Sequence, residues 1–192
     1  MRARSRGVME VLDYPFSSAD LERASKEWGC NCGPSALAFA LQMPLEYART
    51  IIPEFERKKY TSPTMMKAAL ANAGLSFEAV KCPKEADIFS GEPEQPVLVR
   101  AQWTGPWTES GTNPRWAYWY THWFAAWRTE RNECKIFDCN GGIMSPRDWE
   151  LDIMPVLANC HKRAYGGWFP THVWKLPTDK PAPQQAEPGA EG

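Results

Sequence analysis

From Ala36 to Leu41 every residue is apolar, and the run is made of good helix formers. Pro34 suits the first position of such a helix and no later one. A helix that is apolar all round is buried all round. The pattern therefore predicts a central helix, ending near Met43, around which the chain is arranged. Before it, Ser18-Ala19-Asp20-Leu21 offers a cap for a short helix running towards Lys26. After it, Pro44 opens a helix over 45–52, with Leu45, Ala48 and Ile52 on its inner face and Pro53 ending or kinking it. A third helix has Ser62 as N-cap and Pro63 at its first position. Met65, Met66, Ala69, Leu70 and Ala73 line one side, and Gly74 closes it.

Past Gly74 the period shortens. Residues 75–80 alternate like a strand, 96–103 read as a strong strand, and 116–127 as aromatic strands. A charged turn over 128–132 leads to a strand at 134–137, which Asp138-Cys139-Asn140-Gly141-Gly142 breaks. Ser145 caps a helix with Pro146 at its first position and Asp148 completing a box-like pair, running to about Met154. A final strand falls at 167–176. Near the start, 8–14 reads as a short edge strand ended by Pro15. Two loops remain. Residues 82–94 are polar, and 104–115 are rich in Gly, Pro, Thr and Trp and long enough for a binding loop.

Composition narrows the class. Residues 177–192 contain no large apolar side chain and have nothing to bury. The reading is an N-terminal arm (1–20), one domain (21–176) and a disordered tail (177–192). The formal net charge is -1, with no basic stripe on any predicted helix, so nucleic acid is not an expected partner. Neither a secretory segment nor a membrane-spanning run is visible, which predicts a cytoplasmic protein away from membranes. Its six cysteines are then expected to be mostly reduced. Cys30, Cys32, Cys134, Cys139 and His161 fit no structural zinc spacing, so no metal is expected, and no cofactor motif is visible.

Candidate chemistry begins with Cys32, at the entrance of the central helix. Free amides and the positive end of the dipole stabilise a thiolate there, and Cys30 is expected to fall outside that short range. A thiolate enzyme needs a base and a group that orients it. His122 lies in a predicted strand and Asp138 at the end of the next. A hairpin centred near Glu130 would set the two directly opposite each other, on one face. A one-residue slip would separate them. His161, beside Lys162 and Arg163, reads as solvated surface; His172 reads as an accessory group at most.

Asn31-Cys32-Gly33-Pro34-Ser35-Ala36-Leu37-Ala38 resembles the nucleophile motif of papain-like cysteine peptidases, nearest to the peptidase C39-like branch. Thr121-His122-Trp123-Phe124 and Ile136-Phe137-Asp138 resemble that family's later His and Asp strands. The resemblance covers roughly residues 25–145. It implies an α+β papain-like fold, in which a buried helix carrying Cys32 packs on an antiparallel sheet carrying His122 and Asp138. It also implies a cysteine peptidase or isopeptidase with a Cys32-His122-Asp138 triad and a peptide or protein substrate. One position departs: where the family has a glutamine as oxyanion donor, this chain has Lys26. Trp28, Trp103, Trp107 and Trp119 are the candidates for lining a substrate groove. A catalytically weak or inactive domain that binds a peptide or partner protein, and an acyltransferase using the same triad, are the alternatives.

Overall fold

The structure, a computed structural model, describes residues 15–117, 119–160 and 163–178. The expected strand at 8–14, His161 and most of the expected tail lie outside these residues. A capping box opens the described chain. Ser17 Oγ accepts from Asp20 N–H while Asp20 Oδ2 accepts from Ser17 N–H, which fixes the start of α1 (Ser18–Trp28). The cap is Ser17, one residue before the predicted segment, and the helix starts within the expected arm. Gly29, at φ +76°, ends it in a conformation that favours glycine.

The central helix is α2 (Cys32–Leu41), and Cys32 through Ala40 are all buried. Phe39 stacks on Phe137 at 4.3 Å between ring centroids, nearly parallel, and lies against Trp127 at 5.0 Å. Each fully buried Leu or Phe of this kind contributes about 1.5–3 kcal/mol. Around it stand α3 (Leu45–Ile51), α4 (Phe55–Lys58) and α5 (Pro63–Asn72). The short α4 was not expected after Pro53. The predicted cap of α5 is present: Ser62 Oγ accepts from Met65 N–H.

The second half builds one antiparallel sheet from β1 (Glu78–Ala79), β2 (Val97–Trp103), β3 (Thr121–Arg128), β4 (Cys134–Asp138), β5 (Gly142–Met144) and β6 (Trp168–Lys175). The order across it is β1-β6-β2-β3-β4-β5. The fold is thus α+β, with helices packed on an antiparallel sheet. Leu98, Trp123, Ala125, Trp127 and Phe137 face the helices α1–α5. Val97, Val99, Ala101, Trp103, Phe124, Ala126, Ile136 and Val173 face the other way, towards a 3-10 turn (Glu85–Phe89) and Trp149. Burial on both faces explains why β2 reads as a continuous rather than alternating strand.

Several elements differ from expectation. The strand at 75–80 shrinks to the exposed pair Glu78–Ala79, which pairs with Lys175 and Trp174 of β6, and Val80 N–H adds one bond to Val173 C=O. Residues 114–117 form the short helix α6 (Pro114–Ala117), and the strand starts only at Thr121. Beyond Ser145, α7 (Pro146–Asp148) runs through a π turn (Trp149–Ile153) into α8 (Met154–Asn159). Met154 N–H bonds back five residues to Trp149 C=O. Pro155, next in line, has no N–H with which to continue an ordinary α ladder.

Close approach fixes Gly33. A Cβ there would lie 2.2 Å from Thr61 Oγ1 and 2.4 Å from Thr61 Cβ. Thr61 is held in place, since its carbonyl accepts from Trp123 Nε1 at 2.9 Å. Gly33→Ala is therefore expected to cost about 1–3 kcal/mol through overpacking. The unfolding midpoint should drop by several degrees, on the scale of about 2–4 °C per kcal/mol. Combining it with Thr61→Gly should cost less than the sum of the two single changes. Additive losses in thermal unfolding would refute the contact.

Candidate active site

Asp138 ends β4, is 0% exposed, and is still satisfied. Oδ1 accepts from Asn140 N–H and from Asn140 Nδ2, both at 2.9 Å. Oδ2 accepts from Trp149 Nε1 at 2.8 Å and pairs with His122 Nε2 at 2.7 Å. Burial alone would push the carboxyl up. The His122 charge and these donors outweigh it and hold the group down at about 2. For His122, burial pulls downwards and Asp138 lifts the ring above its ordinary value.

The pairing is not the predicted one. Ala125 pairs with Phe137 and Ala126 with Ile136, which centres the hairpin on Arg131 rather than Glu130. Thr129 N–H donates to Glu133 C=O across that turn. His122 and Asp138 are therefore diagonal neighbours rather than directly opposed. The displacement is an even number of residues, so both stay on one face. The β3–β4 ladder also stops at Ala125–Phe137, whereas β3 continues beside β2 back to Thr121. Asp138 pairs instead with Gly142 of β5. The sheet forks at this point.

The N-terminus of α2 meets the fork. Asn31, its N-cap, forms no side-chain cap, and its Nδ2 donates to Leu21 C=O. The first amides of the helix are thus left for other acceptors. The Cys32 sulfur receives the backbone N–H of Trp123, the residue after His122. Cys30 Sγ lies 3.6 Å from Cys32 Sγ. The Cys32 amide is directed at the Cys30 sulfur, so Cys30 lies within reach of the helix terminus, contrary to the sequence expectation. The Cys32 thiol hydrogen bond, the Cys32 amide and the His122 charge outweigh burial and bring Cys30 down to about 6. Cys32 is pushed up, first by that same hydrogen bond and then by burial. The two sulfurs thus share one proton and one charge. In its hydrogen bonds His122 is joined to Asp138 and to neither sulfur.

Cys139 stands beside them. Its sulfur, a His122 ring nitrogen and an Asp138 oxygen lie within 4.8 Å of one another, a donor set of the kind that holds metal ions. Both Asp138 oxygens already accept two hydrogen bonds each, one of them from the ring itself. Burial and the neighbouring Asp138 and Cys30 charges push the Cys139 thiol up.

The other expected site residues lie elsewhere. Lys26 is on the exposed side of α1, with Nζ 2.7 Å from Glu22 Oε1, and is not turned into the site. Trp28 is core: it packs edge-on against Phe55, and the Arg49 guanidinium covers its ring. Trp103 and Trp107 are buried as well. Trp107 Nε1 donates to Trp103 C=O, and its ring stacks on Tyr120. Trp103 is offset and nearly parallel to both His122 and Trp149, at 6.4 Å and 6.3 Å between ring centroids. Trp107 therefore turns inward from the long loop and buries its apolar area, and Trp103, at the end of β2, stands behind the histidine rather than lining a groove. Trp119 alone of the four is exposed, at 80%. His172, on β6, is separated from β3 by β2; burial and then Arg100 bring it down to about 4.

A cleft of about 490 Å³ opens beside Cys139, next to the site; Cys30, Cys32, His122 and Asp138 do not line it. It runs between α1 and the β4–β5 turn, lined by Phe16, Leu21, Ser25, Cys139, Asn140 and Gly141 among others. The sequence reading missed this cleft, and it missed Trp149 as the indole that ties down Asp138. A buried carboxylate and a buried indole N–H each need a partner, and that mutual need was the available signal.

No protein-family model matches the chain, and no curated protein matches it. Among the described residues, no helix is long and apolar enough to cross a membrane.

Two outcomes follow from the geometry. The Asp138 carboxyl sits below its ordinary value, so its stabilisation is complete above about pH 4 and is lost as pH falls towards 2. Urea unfolding of the wild type should lose about 2 kcal/mol more over that window than unfolding of Asp138→Asn. Equal losses would show that Asp138 is not ionised when folded. Cys30 should alkylate with an apparent midpoint near 6, followed as iodoacetamide rate against pH, and Cys32, pushed up, should lag behind it. A midpoint near the ordinary thiol value would refute the shared charge.

Proposed function

We propose that the protein is a papain-like cysteine hydrolase that cleaves a peptide or isopeptide bond, with Cys32 as nucleophile and His122 as base. The observation that carries this reading is the buried His122 Nε2–Asp138 Oδ2 pair at 2.7 Å, beside a cysteine at the mouth of a buried helix. Because Asp138 takes Nε2, the ring's Nδ1 is the nitrogen available to a thiol. Trp149 and Asn140 hold Asp138, and Trp103 backs the ring, so the imidazole is fixed before substrate arrives.

In the reaction the Cys32 sulfur attacks the carbonyl carbon of the scissile bond. Its proton passes to His122, which returns it to the leaving amine. The oxyanion is met by the Gly33 amide in the first turn of α2, since the Cys32 amide is turned to Cys30, Pro34 has no N–H and Ser35 N–H donates to Asn31 C=O; Lys26 takes no part. Water, activated by His122, then releases the acyl group. Substrate enters by the cleft between α1 and the β4–β5 turn, beside Cys139.

The second reading, a papain-like domain that binds a peptide without turning it over, is favoured by one observation. His122 is hydrogen-bonded to neither sulfur. Acyl transfer to an amine is a variant of the same chemistry, separated by product analysis with and without added amine.

Turnover of a panel of peptide amides with a fluorogenic leaving group tests the assignment. Cys32→Ser should abolish hydrolysis and Cys30→Ser should retain it; survival of turnover in Cys32→Ser would remove Cys32 from the role. His122→Ala should cost about 10²–10⁴-fold. Asp138→Asn should be less active than wild type and more active than Asp138→Ala. An asparagine must point its NH₂ at one of the donor pairs that Asp138 accepts, which adds about 1–3 kcal/mol of destabilisation. If Asp138→Ala matches wild type while His122→Ala is inactive, the pair does not orient the base. If no member of the panel is cleaved, the binding reading replaces the hydrolase.

A further inference from the structure

A thiol hydrolase needs one sulfur at the mouth of its helix, and this chain places two there. Cys30 Sγ and Cys32 Sγ are 3.6 Å apart, in van der Waals contact. A disulfide needs about 2.05 Å, a distance that modest side-chain rotation can close. Both thiols are free, Cys30 half-buried and Cys32 buried. The more accessible sulfur is the one that receives the Cys32 amide and lies near the His122 charge. The deeper sulfur stands directly behind it. An accessible thiolate backed by a resolving thiol is the arrangement that reacts with peroxides and then protects itself from further oxidation.

We propose that Cys30 and Cys32 form a redox modification site that takes a hydroperoxide as oxidant and closes to a reversible disulfide. The Cys30 thiolate attacks one peroxide oxygen. The O–O bond breaks, Cys30 becomes a sulfenic acid, and the leaving hydroxide or alkoxide takes a proton to give water or alcohol. Cys32 then attacks the Cys30 sulfur and gives up its proton. The S–O bond breaks, the oxygen leaves as water, and the S–S bond forms. Two thiols are oxidised by two electrons and one peroxide is reduced. With a single residue between the cysteines the ring is small, and an external dithiol opens it readily. While closed, it holds the Cys32 sulfur in a bond and out of any nucleophilic reaction.

This inference stands on the positions of the sulfurs and is tested without a hydrolase substrate, so its failure and the failure of the hydrolase reading are separable. The reduced full chain is treated with hydrogen peroxide at neutral pH, quenched with N-ethylmaleimide, and mapped by peptide mass. The expected result is loss of maleimide from Cys30 and Cys32 together, a Cys30–Cys32 cross-link, and full recovery with dithiothreitol. Cys82 and Cys160, both exposed, should keep their label and serve as controls. Cys32→Ser should yield a dimedone adduct at Cys30, and Cys30→Ser should leave Cys32 unoxidised at the same dose. A disulfide to Cys139, sulfinic acid at Cys30 in the wild type, or oxidation confined to Cys82 and Cys160 would each overturn the proposal.

Discussion

A carboxylate without solvent contact must have its lone pairs answered, and Asp138 has four donors to answer them. Two come from Asn140, two residues on; one comes from Trp149, beyond the next turn; one comes from His122, on the neighbouring strand. Leaving any of them out would strand a buried charge, which costs far more than the single lost hydrogen bond. The constraint therefore reaches outward. It sets the turn after β4, the way the α7–α8 segment lies on the sheet, and the ring orientation of the histidine. The aromatic packing of Trp103, Trp149 and Phe124 is the dry surrounding in which that charge is held.

The two faces of the sheet divide the work. The face towards α2 is an apolar contact of the ordinary kind, with Phe39 on Phe137 and Trp127, and it positions the helix mouth. The other face carries the histidine, the carboxylate and the indoles of Trp103 and Trp149. The groups meet only where β3 and β4 part, because there the Trp123 N–H is released from strand pairing and turns to the Cys32 sulfur. Gly33 belongs to the same junction. It lets Thr61 lie against the first turn of α2, and Thr61 is in turn tied to Trp123.

What was legible in the sequence followed from local rules. Ser62-Pro63 and Ser145-Pro146 marked two helix starts, because proline and a capping hydroxyl act within a few residues. Pro34, expected at the first position of α2, is its third residue, where a missing N–H still costs no intrahelical bond. The pairing of His122 with Asp138 was legible because both fall on the same parity of their strands. The exact register was not, since it depends on which turn bond forms, and here that bond joins Thr129 to Glu133. Trp107, in the long loop, and Trp119, after it, misled for a related reason. Tryptophans at such a place suggest a binding surface, but whether an indole turns in or out is a tertiary choice. Trp107 turned in and Trp119 did not. The Cys30 sulfur was misplaced because its reach towards the Cys32 amide depends on the bend at Asn31, which no pattern of residue types encodes.

The even displacement of the hairpin has a consequence for how such a chain can vary. Turn residues 129–133 lie at the surface, where insertions and deletions are usually tolerated. Here length is constrained by arithmetic rather than by contact. A change of two residues slides β4 along β3 and keeps Asp138 and Phe137 on their own faces. A change of one residue, unless a bulge absorbs it, would exchange them, placing a carboxylate under α2 and a phenyl ring beside His122. Lineages descending from this sequence should therefore show turns whose lengths differ by pairs.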